Sequence, residues 1–183
     1  PLGRGNPGPV VRLRGVRLAA PPRLLGSEGR HLALRFADGE AIETPAGRFE
    51  AVATPGHTAN HLAFRLEGPD AILFSGDHVM AWSTTVVAPP DGAMADYMAS
   101  LDRLLARDDR LYLPGHGGPV NAPREYVRAL KAHRLNRAAA ILDRLRKGDR
   151  RIPEIVAVLY ADVDRRLHGA AAMSVLAHLE EMA

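Results

Sequence analysis

The chain contains no cysteine. That absence excludes disulfide staples, thiolate nucleophiles and every cysteine-based zinc site, so any metal must be held by imidazole and carboxylate. Long hydrophobic runs are missing as well. No apolar stretch approaches the roughly 20 residues that cross a bilayer, and the first residues lack the charged-then-apolar layout of a signal peptide. A cytoplasmic protein with no membrane partner is the expectation. Charge of one sign is scarce: 24 Lys and Arg against 21 Asp and Glu leave a net +3, too small an excess to argue for nucleic acid by itself. An initiator methionine is also lacking, because the sequence opens Pro1-Leu2-Gly3. Its first thirty residues are rich in Pro, Gly and Arg with little periodicity, and the expectation is a fragment or processed form.

What is present is the composition of an ordinary globular protein, 46% hydrophobic and 25% charged over 183 residues, enough for one core or a main domain with a small appendage. Residues 1 to 30 read as loop with one short strand or helix. Alternating apolar stretches follow: His31 to Phe36, Ala41 to Thr44, Phe49 to Ala53, His61 to Leu66 and Ala71 to Phe74. Each ends at a Gly or Pro turn, which predicts a run of antiparallel strands. The period then changes to 3.6 in Tyr97 to Leu105, behind Asp96 as a cap region, and a short strand at Leu111 to Leu113 comes next. From Pro123 the pattern is helical to Arg146. After a break at Gly148-Asp149, a second helix is opened by Pro153 and a third runs from about Gly169 to the end. A boundary near residues 125 to 135 divides the chain into domains 1–130 and 131–183.

Three turns carry candidate chemistry. Thr54-Pro55-Gly56-His57-Thr58, Phe74-Ser75-Gly76-Asp77-His78 and Leu113-Pro114-Gly115-His116-Gly117 each deliver one polar side chain past a glycine at a strand end. Any one of them could be a plain strand-to-loop turn. Together they present His, Asp and His from separate elements, the donor types zinc favours, and an Asp carboxylate has two oxygens that can bridge two ions. The set suits a metal-hydroxide centre.

In order and spacing these motifs resemble the second half of the metallo-β-lactamase superfamily. Residues 97–105, the stretch Ala132-His133-Arg134-Leu135-Asn136-Arg137 and the helical tail are similar to its hydrolase branch with a C-terminal winged-helix-like domain. That branch includes glyoxalase II-like thioesterases, β-lactamase-like 2 endoribonucleases and thioesterases acting on carrier-bound chains. Asn6-Pro7-Gly8-Pro9 is similar to a stretch near its start, and the motif match covers roughly residues 40 to 183. The resemblance implies an α+β fold, namely the second half of an αββα sandwich with a small helical winged-helix-like domain. It implies two zinc ions, with His57 on the first, His116 on the second and Asp77 as the bridging, catalytic carboxylate. Two ions about 3.5–4 Å apart would bring a bound water's pKa toward about 7 and polarise the scissile oxygen. The family's H-x-H-x-D-H cluster is absent, since no two of the eight histidines are separated by a single residue. The resemblance therefore implies weak or partial metal occupancy and doubtful activity for this chain alone.

Other residues bear on the same site. His61, four residues after His57, reads either as a partner behind the ligands or as a solvent-facing strand start. His78 points away from its neighbour Asp77 and reads as structural. The loop of Trp82, Ser83, Thr84 and Thr85 would line a substrate pocket, with Trp82 as a core plug the alternative. Residues 131–151 hold eight cations against two acids, either a phosphate-tracking patch or, as favoured, a solvated helix face. The leading expectation is a zinc-dependent hydrolase of thioesters or acyl esters, on small-molecule or carrier-bound substrates. The alternatives are RNA phosphodiester hydrolysis and a non-catalytic module binding nucleic acid or protein.

Overall fold

In the computed structural model, residues 17–18 and 36–183 are described. The strand expected at His31 to Phe36 and the loop expected over residues 1 to 30 lie almost wholly outside that range. A six-stranded sheet runs in sequence order: β1 (Arg17–Leu18), β2 (Ala41–Thr44), β3 (Gly47–Ala53), β4 (Leu62–Leu66), β5 (Ile72–Gly76) and β6 (Leu111–Pro114). Strands β1 to β5 pair antiparallel, each with the next. The last pair, β5 and β6, is parallel. A parallel pair needs a crossover, and helix α1 (Met94–Leu105) supplies it.

Alternation along the strands sorts the sheet into two faces. Val52 pairs with Ala63, and Leu73 with Tyr112; these four turn to one face, where α1 buries Met94, Tyr97, Leu101 and Leu104 against them. Each such large side chain removed from water contributes about 1.5–3 kcal/mol. The opposite face gathers the chain's four phenylalanines. Phe36 meets Phe64 edge-on at 5.9 Å, Phe49 lies 5.8 Å from Phe74, and Phe74 is 38% exposed. An apolar sheet face of this kind is what one inner layer of a sheet-on-sheet sandwich presents.

Helix α2 (Pro123–Arg146) opens with Pro in its first turn and runs unbroken for 24 residues. Its first half gives Val127 and Leu130 to the core under the sheet, and its second half gives Ile141 to another cluster. That second cluster holds Ile155 and Val156 of α3 (Ile152–Leu159) together with Ala171 and Val175 of α4 (His168–Met182). Ala177 of α4 returns to the main core. The helices thus match the sequence periodicity to within a few residues. α1 begins earlier than expected, at Met94, because the N–H of Ala93 is taken by Gly56 O at 3.0 Å; Asp96 sits in the first turn, where the helix dipole favours an acid.

Candidate metal centre

Strand β4 is antiparallel to both β3 and β5, and β6 is parallel to β5, so β3, β5 and β6 all point the same way. Their C-terminal ends therefore share one edge of the sheet. His57 follows β3, Asp77 follows β5 and His116 follows β6 on that edge. His57 Nε2 lies 4.0 Å from Asp77 Oδ2, and His116 Nε2 lies 3.5 Å from Asp77 Oδ1. All three expected ligands are brought together, one imidazole to each carboxylate oxygen. They stand partly open to solvent.

Packing explains how the turns are held. Gly56 has φ +133°, and a Cβ there would stand 2.4 Å from the Tyr97 Cα, so glycine alone lets the His57 turn settle onto α1. Ser100 on the same helix donates to Pro55 O at 2.8 Å, and the Tyr97 hydroxyl donates to His78 O at 3.1 Å. One helix grips two of the three ligand turns.

His61 precedes β4 and so begins at this same edge. Its Nε2 accepts the backbone N–H of Asp77 at 3.2 Å, and its Nδ1 lies 2.8 Å from the Thr54 hydroxyl. Burial, followed by the nearby His57, pushes its pKa down to about 4, against a smaller raising effect of Asp77. It is thus a neutral ring with its proton on Nδ1, placed behind the ligands and not facing solvent. His78 is fully buried, with neither ring nitrogen on a hydrogen-bond partner. Burial first, then the charges of His61 and His57, lowers it to about 3. That is the structural role expected of it.

His57 Nδ1 stands 2.6 Å from Val86 O. A carbonyl can only accept, so Nδ1 carries a proton, and in the neutral ring it is the Nε2 lone pair that faces Asp77, the tautomer a ligand needs. Thr85 donates its hydroxyl to Asp77 O, and Arg134 donates from α2 to Thr85 O. From sequence, Thr85 is expected only in a pocket loop, and Arg134 either in a phosphate-tracking patch or, as favoured, on a solvated helix face; its side chain is in fact buried, 4% exposed. Trp82 is not a core plug: it is 73% exposed, its ring 6.1 Å from that of His116.

The donor chemistry fits a pair of ions sharing Asp77, with His57 and His116 as the outer ligands. It fits only part of one, because each ion would have a single imidazole and one carboxylate oxygen, short of the three protein ligands of a catalytic zinc. Among the described residues, no group of three or more His, Asp or Glu is placed to hold an ion by itself.

Comparison with known proteins decides the family. Residues 9–116 match the model of the metallo-beta-lactamase superfamily. The chain belongs to the metallo-β-lactamase superfamily. Residues 152–183 match the beta-lactamase associated winged helix domain, which assigns α3 and α4. The superfamily match begins at residue 9, well before the stretch of 40 to 183 that the motifs marked. A beta-lactamase-like protein 2 homolog of Drosophila melanogaster is 28% identical over 150 residues, 80% of this chain and 49% of that protein. An atrochrysone carboxyl ACP thioesterase of Paecilomyces divaricatus is 30% identical over 135 residues, 72% of this chain and 40% of that protein. The chain spans about half the length of the curated relatives it matches. Among solved structures, a metallo-beta-lactamase family protein of Thermus thermophilus aligns with TM-score 0.71 at 32% identity, over 84% of this chain and 49% of that one. A beta-lactamase domain protein of Burkholderia ambifaria aligns with TM-score 0.74 at 27% identity, over 86% of this chain and 48% of that one. The fold is therefore the α+β metallo-β-lactamase fold with a C-terminal winged-helix domain.

Proposed function

We infer that the full-length protein hydrolyses a thioester or related acyl ester, on a small molecule or an acyl carrier, at a two-zinc centre to which this chain contributes His57, Asp77 and His116. The observation that carries this reading is the carboxylate of Asp77 lying between two imidazoles, one near each oxygen. Two zinc ions bound there would supply an activated water and polarise the acyl carbonyl. The chain's own side chains orient the donors. The Val86 carbonyl fixes the His57 tautomer, and His61 and Thr85 hold the Asp77 backbone from its two ends, N–H and C=O. Exposed Trp82 and Val86 flank the site as apolar surface for an acyl chain.

Charge pairing favours acyl substrates over RNA. Within residues 131–151, Lys131 pairs with Asp102, Arg144 with Asp149 at 2.7 Å, Lys147 with Asp143 at 2.7 Å and Arg151 with Glu154 at 2.9 Å. Arg137 lies on Leu159 O and over the Tyr160 ring, and Arg134 is buried. Few cations of this stretch are left to track phosphates.

The test uses the full-length protein. Metal analysis should find about two zinc ions per chain, acyl-thioester hydrolysis should be lost to a chelator, and Asp77→Asn should abolish both. Zinc-free protein after careful purification, or RNA cleavage without thioester cleavage, would overturn the assignment.

A further inference from the structure

Arg134 is the one buried cation of residues 131–151. Its side chain leaves α2, lies with its Cζ 5.1 Å over the Tyr97 ring and donates from Nη2 to Thr85 O. It thus donates to a carbonyl oxygen and lies over an aromatic face, forms no ion pair with a carboxylate among the described residues, and has no hydrogen-bond partner for its Nε. A guanidinium so deprived of water costs several kcal/mol unless something is gained in return. What it holds is the segment Thr85-Val86. The Thr85 hydroxyl bonds Asp77 O, and Val86 O takes the Nδ1 proton of His57. One short stretch of backbone therefore sets two ligands, and Arg134 anchors that stretch from a helix 49 residues later in the chain.

We propose that Arg134 is a positioning residue for the metal centre, acting through Thr85-Val86 to set the His57 ring and the Asp77 carboxylate. The proposal rests on the ligand assignment above, and it goes further by tying the centre to the helix that leads into the C-terminal domain. Arg134 itself touches neither substrate nor metal. Its planar fork and its position over Tyr97 suit the task in a way a lysine ammonium does not.

The experiment compares R134M, T85V and the double variant in full-length protein, with two measurements. The first is the His57 ring proton in metal-free protein by NMR, where the bond to Val86 O gives a protected Nδ1–H signal. The second is zinc affinity by chelator competition. R134M should lose the protected signal and about tenfold or more in zinc affinity, in the range of a lost partner behind a ligand, while still unfolding cooperatively. The T85V variant should weaken zinc to a similar degree, and the double variant should be no worse than the poorer single, because both act along one line of contacts. A retained His57 signal with wild-type affinity in R134M, or losses that multiply in the double variant, would overturn the proposal. Should R134M fail to fold, R134K, which keeps the buried charge without the fork, is read in its place with the same outcomes. If the wild-type protein binds no zinc, the ligand assignment fails while the ring-proton signal still decides the role of Arg134.

Discussion

The Nε2 of His61 receives the backbone N–H of Asp77 at 3.2 Å, which makes a half-buried imidazole the support beneath the carboxylate that the two outer histidines flank. His61→Ala removes that support and leaves the N–H without its partner. Metal affinity should fall about 10–100-fold, the usual effect of losing a group that orients a ligand. Chelator competition measures it, and unchanged affinity would contradict the role.

Gly115 lies where an added Cβ would stand 2.7 Å from Asp77 Oδ1. Its backbone does not require glycine, so Gly115→Ala strikes the carboxylate and not the fold. Zinc affinity should drop while the thermal midpoint stays close to wild type. Gly118→Ala, with nothing within 4 Å of its Cβ, is the matched control and should leave both unchanged.

Asp109 has a side chain only 1% exposed, on which Arg107 Nε donates at 2.7 Å; Arg65 Nε lies 3.0 Å away without hydrogen-bond alignment. Asp109→Ala leaves two guanidiniums facing a hole. Breaking such a pair from one side costs about 3–5 kcal/mol. Urea unfolding should show it, and a loss under about 1 kcal/mol, the scale of exposed pairs, would mean the pair is effectively solvated.

His178 on α4 is fully buried, its ring without a hydrogen-bond partner and its Nδ1 3.7 Å from Glu181 Oε2. Burial first, then the charges of Arg134, Arg137 and His133, lower its pKa from 6.5 to about 4. The unfolded chain takes the proton before the folded one, so stability is complete above about 6.5 and declines as pH falls toward 4. His178→Leu should flatten that decline in urea midpoints measured across the same window. An unchanged slope would show that His178 does not contribute.

What could be read from the sequence was local. Side-chain alternation gave strands at 41–44, 49–53, 61–66 and 71–74, and the 3.6 period gave the helix from Pro123 to Arg146, because both patterns are written in neighbouring residues. The three ligand turns were legible for the same reason: Gly and Pro beside a polar residue at a strand end are a local signature. That the turns face one another follows from strand direction. A parallel β5–β6 pair could be guessed from the strand, helix, strand order.

Long-range packing decided the rest. His61 could equally have faced solvent, and only the antiparallel course of β4 returns it to the edge where Asp77 waits. Arg134 sits in an Arg-rich run and looked like one more solvated cation, and its burial depends on Tyr97 and Thr85, 37 and 49 residues earlier in the chain. Sequence by itself determined the family and singled out His57, Asp77 and His116 as the three strand-end candidates. Tertiary structure alone decided which of the remaining polar residues stand behind them, because burial and hydrogen-bond partners arise only when distant segments are packed together.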